Sequence, residues 1–164
     1  MFNPFPLKAT MPALLAAFAL TACGGGGSDP EATPAEAADK YVGTWSSACE
    51  PTGASASKNY VWTLNKGGPT AVGGTHAVNN WVNATCAGTP NTVSNVDIAF
   101  TIDAAGTANG KVVDKTTVSI SVGGQGKLLF AIEGNTMYSS AYMGSPADAD
   151  GYPTQLKIDR PYMK

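Results

Sequence analysis

The chain has 164 residues, 43% of them apolar, with 10 Lys and Arg against 12 Asp and Glu for a formal charge of −2. No block of like charge occurs and the lysines are scattered, which argues against a nucleic-acid surface and against a polybasic lipid site. With 19 Gly and 11 Pro, and no helical period sustained over the roughly 10 to 12 residues a helix needs, a helical bundle is excluded as well.

In chain order, Lys8 supplies a single cation ahead of an apolar run, Met11 to Leu20. That run is too short to cross a hydrocarbon core of about 30 Å, for which a helix needs roughly 20 residues. It reads as the apolar region of a signal peptide spanning residues 1–22. It ends in Leu20-Thr21-Ala22-Cys23, which resembles the lipobox of bacterial lipoproteins: Leu, two small residues, Cys. The resemblance implies cleavage before Cys23, a diacylglycerol thioether on its sulfur, and acylation of the new amine by a palmitate-like chain. Acyl chains contribute about 0.8 kcal/mol per buried methylene, so two or more make a stable anchor and the membrane becomes a partner. Gly24, rather than Asp, at the next position implies the outer membrane of the cell envelope, on its periplasmic face or at the cell surface.

Behind Cys23, the run Gly24 to Ser28 and the Pro- and acid-containing stretch Asp29 to Ala37 lack core formers. They read as a flexible tether over residues 23–37, because such a segment cannot bury enough apolar surface to offset its ordering entropy. A single domain, residues 38–164, follows. With Cys23 lipidated, Cys49 and Cys86 remain as an even pair in an exported chain and are expected to be joined. A closed loop of about 37 residues corresponds to a stabilisation on the order of 4 kcal/mol. A zinc site would need further ligands near them, and His76 is the one histidine in the chain.

The domain is predicted to be a string of short strands. Tyr41 to Ser47 opens it, and Lys58 to Lys66 places Tyr60, Trp62 and Leu64 on one face. Thr75 to Thr85 is β-prone around Val78, Trp81 and Val82, with Asn79-Asn80 suggesting a bulge or an irregular edge. Asn95 to Asp103 alternates most clearly, Val96, Ile98, Phe100 and Ile102 falling on one side. A turn at Ala104-Ala105-Gly106 leads to Lys111–Asp114 and then Thr116–Val122, with Val118, Ile120 and Val122 inward. The Gly123-Gly124-Gln125-Gly126 stretch turns the chain into Lys127–Glu133, and Gly134-Asn135 is a two-residue hairpin signal before Thr136–Tyr142.

About eight short strands at regular spacing predict an all-β fold, an antiparallel up-and-down barrel with a β-sandwich as the alternative. Gly43-Thr44-Trp45, just before the first turn, resembles the Gly-X-Trp opening of lipocalins and avidins, the calycin group of barrels. The resemblance implies that Trp45 closes one end of the barrel and that Arg160, the chain's one arginine, lies across its indole.

No nucleophile elbow, phosphate loop or nucleotide fingerprint is present, so no enzyme, cofactor or metal site is expected. His76 reads as a surface or turn residue. Asp148-Ala149-Asp150-Gly151 begins like a calcium loop but lacks its third acid and closing Glu, so an acidic turn capped by its own backbone is expected. The aromatic set Tyr60, Trp62, Trp81, Phe100, Phe130, Tyr138 and Tyr142 either fills the barrel as core or lines an apolar pocket at its mouth. A small apolar ligand and an envelope protein are thus the two candidate partners. The first makes the domain a ligand-binding module. The second makes it an interaction or hydrolase-inhibitor module with a filled barrel and a loop patch around Cys49 to Ser57 or Gly67 to Gly74.

Overall fold

Residues 35–141 and 144–164 are described by the structure, a computed structural model. The expected signal peptide, Cys23, nearly all of the tether and Tyr142 lie outside them. Among the described residues, a 3-10 turn, Asp39–Tyr41, precedes β1 (Gly43–Ser47), β2 (Glu50–Gly53), β3 (Ala56–Lys66), β4 (Ala71–Trp81), β5 (Thr92–Ala108), β6 (Lys111–Ile120), β7 (Gly124–Glu133), β8 (Thr136–Ser139) and β9 (Tyr162–Met163). β1 and β2 lie end to end along β3, parted by Ala48 and Cys49. Every other strand is antiparallel to its sequence neighbours, and β9 returns to pair with β1.

Nine strands with β1 and β2 sharing one position give a closed antiparallel barrel of eight, the lipocalin-like up-and-down arrangement. The sandwich alternative falls because the last strand hydrogen-bonds the first instead of packing in a second sheet.

Strand parity decides which side chains enter the barrel. On β3 and β4 the even-numbered residues face inward, with Trp62 opposite His76 and Leu64 opposite Gly74. On β5 the same parity buries Ile98 and Phe100, as the alternation predicts. The expected turn at Ala104-Ala105-Gly106 is instead a bulge, because the register with β6 slips between Ile102 and Ala104. The strand continues past it, and Ala108 thereby moves to the outer face. The real turn is Asn109-Gly110, both residues at positive φ (51° and 73°), the backbone a two-residue hairpin requires.

Three other details differ from expectation. β4 passes Asn79-Asn80 without interruption, because Asn79 Nδ2 donates to Asn59 Oδ1 across the ladder at 3.0 Å. Val122 sits in the turn after β6, 78% exposed, and not inside. The two suggested loop patches are only part loop: Cys49 to Ser57 takes in β2, a turn and the start of β3, and Gly67 to Gly74 takes in the β3–β4 turn and the start of β4.

Leu64, Val72, Phe100, Phe130 and Met137 fill one half of the barrel. Tyr41 plugs that end, edge-on to Phe100 (5.2 Å) and Phe130 (5.9 Å). Its hydroxyl donates to the buried Asp114, which Lys40 also meets at 2.7 Å. Trp45 is fully buried beside it and donates from Nε1 to the Tyr41 carbonyl at 2.7 Å.

Glu36 and Asp39 both reach Lys66 (2.6 and 2.7 Å) and the Ala38 N–H bonds the Pro69 carbonyl, so Glu36, within the expected tether, is held on the end of β3.

A second core lies outside the barrel. Ala108, Val113, Leu129 and Ala131, on the outer faces of β5 to β7, are covered by Leu156 from the long connection between β8 and β9. That connection is strapped down by Lys115 to Asp148 (2.7 Å), by the Tyr152 hydroxyl donating to Asp103, and by Leu156 N–H donating to Asn109 Oδ1. Asp148 accepts the backbone N–H groups of Asp150 and Tyr152, the self-capped acidic turn that its sequence suggested. Among the described residues, no helix is long and apolar enough to cross a membrane.

Candidate functional site at the open end of the barrel

The plug of Tyr41 and Trp45 leaves the opposite end of the barrel unfilled. A cavity of about 320 Å³ opens there, at the low end of the roughly 300 to 1,000 Å³ typical of small-molecule sites. One wall is apolar: Val118 and Ile120 from β6 and Leu128 from β7. The other is aromatic and polar: Tyr60 and Trp62 from β3, His76 from β4, Ser139 from β8 and Tyr162 from β9, with Lys157 and Arg160 at the mouth. Below it, Phe130 stands edge-on to Trp62 at 5.7 Å, forming the boundary between filled and open halves.

The expected aromatic set divides by parity and height. Tyr60 and Trp62 line the cavity. Phe100 and Phe130 stack at 5.0 Å in the core beneath it. Trp81 and Tyr138 do not reach it. Trp81 falls on the outward parity of β4, under the β4–β5 loop, where its Nε1 donates to the Gly88 carbonyl at 2.9 Å. Tyr138 faces the second core, with Lys111 Nζ 4.7 Å above its ring.

Arg160 is not the cation over Trp45. Ser46 pairs with Met163 and Ser47 with Tyr162, so antiparallel register carries Lys164 toward Trp45, whereas Arg160 lies beyond Tyr162, on the side away from Trp45. Lys164 Nζ accordingly lies 5.1 Å from the Trp45 ring, while the Arg160 guanidinium lies 4.9 Å over Tyr60 and its Nε meets the Glu50 carboxylate. The role implied for the arginine passes to the terminal lysine, and Arg160 becomes a cavity residue.

His76 is likewise neither a surface nor a turn residue. It sits mid-strand in β4, its ring parallel to Tyr60 at 5.9 Å and against Trp62 at 4.5 Å. Burial disfavours the imidazolium and pushes its pKa below the usual value. Burial also raises the Tyr162 phenol, opposed by Trp62 and Ser139 as donors close to its oxygen and then by the nearby Arg160 charge. At this end of the barrel Cys49 and Cys86 are joined, their Cα atoms 5.8 Å apart. The bond ties the break between β1 and β2 to the β4–β5 loop. Within that loop Asn83 Oδ1 accepts the N–H groups of Thr85 and Ala87.

His76 and Tyr162 were legible only through pairing. His76 falls opposite Trp62 once β3 and β4 are joined in register, and Tyr162 enters only because β9 closes the barrel. No family model, curated protein or solved structure matches the chain.

Proposed function

We propose that the protein is an envelope-anchored, non-enzymatic binding protein, a carrier or sensor whose barrel takes a small apolar ligand at its open end. The observation supporting this reading is the division of the barrel interior. The closed half is filled by large side chains, and the other half keeps an aromatic- and aliphatic-lined cavity of about 320 Å³. A barrel of eight strands is wide enough either to be filled by its own side chains or to hold one small ligand, and here one half is filled and the other leaves room for a ligand. Anchoring through lipid on Cys23, at the outer membrane, completes the reading and rests on the lipobox resemblance alone. A second reading, docking of an envelope protein, is favoured by Val82, Val93 and Val122. These three are more than half exposed and sit on the loops and strand ends around the open mouth.

A fluorescence titration with 1-anilinonaphthalene-8-sulfonate separates the two. The ligand-binding reading expects saturable one-site enhancement with the Pro34–Lys164 unit, which contains both cores and the disulfide. It expects loss of that enhancement in Ile120→Trp, which fills the cavity, with the unfolding midpoint retained. Equal enhancement in both proteins would place the dye on the rim and favour the docking reading.

A further inference from the structure

The two walls of the cavity differ in chemistry, and the polar one is incompletely satisfied. Trp62 is only 7% exposed, yet among the described residues its Nε1 has no hydrogen-bond partner, and the buried His76 Nε2 has none either. An indole N–H can only donate, and although the Tyr162 oxygen lies close to it, no acceptor among the described residues completes a hydrogen bond with it. The Tyr162 and Ser139 hydroxyls share this wall.

Charge points the same way. Three cations gather at the mouth: Arg160 over Tyr60 at 4.9 Å, Lys58 over the same ring at 5.3 Å, and Lys157 on the cavity wall. Facing them are Glu50, which takes the Nε edge of Arg160, and Asp159, exposed and outside the cavity lining. The mouth is therefore net positive on a chain whose formal charge is −2. A donor without an acceptor, cations in excess and an apolar wall opposite them describe a receptor for an amphipathic anion.

We infer that the ligand is a small apolar carboxylic acid. Its carboxylate sits on the wall of Trp62, Tyr162 and Arg160, with Lys157 adding charge, and its hydrocarbon body lies on Val118, Ile120 and Leu128. This rests on the ligand-binding reading of the cavity and names the chemical class that the cavity selects.

The test is calorimetric titration of the Pro34–Lys164 unit with three probes of one chain length: decanoate, decanol and decyltrimethylammonium. Decanoate is expected to bind at least about tenfold more tightly than decanol, with the ammonium weakest, since hydrogen bonds to a charged acceptor are the stronger kind. Replacing Arg160→Gln and Lys157→Gln together should bring decanoate down to the decanol affinity measured in the same variant. Added salt should weaken decanoate alone in the unmodified protein, which keeps the test independent of the variant's folding. Equal affinity for acid and alcohol, or preference for the ammonium, overturns the head-group inference while leaving the cavity reading intact. Binding of none of the three overturns both.

Discussion

His76 has two consequences at the scale of single residues. Packed between Tyr60 and Trp62, it holds a proton less readily in the folded chain than in the unfolded one. The unfolded state therefore binds more protons in the window that opens at about pH 6.5 and extends downward, and stability falls as pH falls through it. Denaturant unfolding between about pH 7.5 and 5 should show this slope, and His76→Gln should flatten it. An unchanged slope in the variant would mean that the imidazole is not buried as described. Asp39 and Asp148 are held low by Lys66 and Lys115, so their effect appears below about pH 4, outside that window. Cys49 offers a second residue-level test. Its bond to Cys86 closes a separation of 37 residues, and Cys49→Ser should lower unfolding stability by on the order of 4 kcal/mol, a loss that reductant reproduces in the unmodified protein. Pairing from cysteine arithmetic was legible because it needs no geometry. The partner of Trp45 was not, since choosing between Arg160 and Lys164, four residues apart, requires the register of β9 against β1.

Among the elements, β3 and β4 make the wall that positions Trp62 and His76, and their contact depends on a glycine. A Cβ built on Gly74, whose φ is +156°, would lie 2.0 Å from the Thr63 carbonyl oxygen, whereas at Gly73 the nearest atom is 4.0 Å away. Gly74→Ala should cost more than about 2 kcal/mol and weaken ligand binding, and Gly73→Ala should be close to neutral. Thermal unfolding of the pair checks it, and similar midpoints would contradict the close packing described for this wall. Most strands were legible from alternation, β5 above all, because one face is buried and the other wet. Their ends were less so. The stretch Ala104-Ala105-Gly106 looks like a turn in composition but pairs with β6 through a bulge, whereas Asn109-Gly110, a stronger turn signal, sits one hairpin tip further on. The two-residue turn at Gly134-Asn135 needed no correction, since Glu133 pairs with Thr136 across it.

In the molecule as a whole, the connection between β8 and β9 links stability to the site. Leu156 anchors it on the outer core, and Lys157 and Arg160 follow directly at the cavity mouth. Leu156→Ala should therefore cost about 2 kcal/mol or more, as buried truncations do. It should also weaken decanoate relative to decanol by loosening the two cations; a stability loss with unchanged selectivity would uncouple the strap from the site. The closed barrel was readable in outline from strand number and the Gly43-Thr44-Trp45 opening. The half-open interior was not, because it depends on which aromatic residues share a level: Phe100 and Phe130 fall beneath Trp62, and Trp81 and Tyr138 fall outside.

Native mass spectrometry of the Pro34–Lys164 unit, exported, purified without denaturant and ionised gently, tests the occupied cavity most directly. A bound species of on the order of a few hundred daltons, lost on denaturation and absent from Ile120→Trp, is expected. A clean unliganded mass for the unmodified unit, unchanged on adding decanoate, decanol or decyltrimethylammonium, would contradict it.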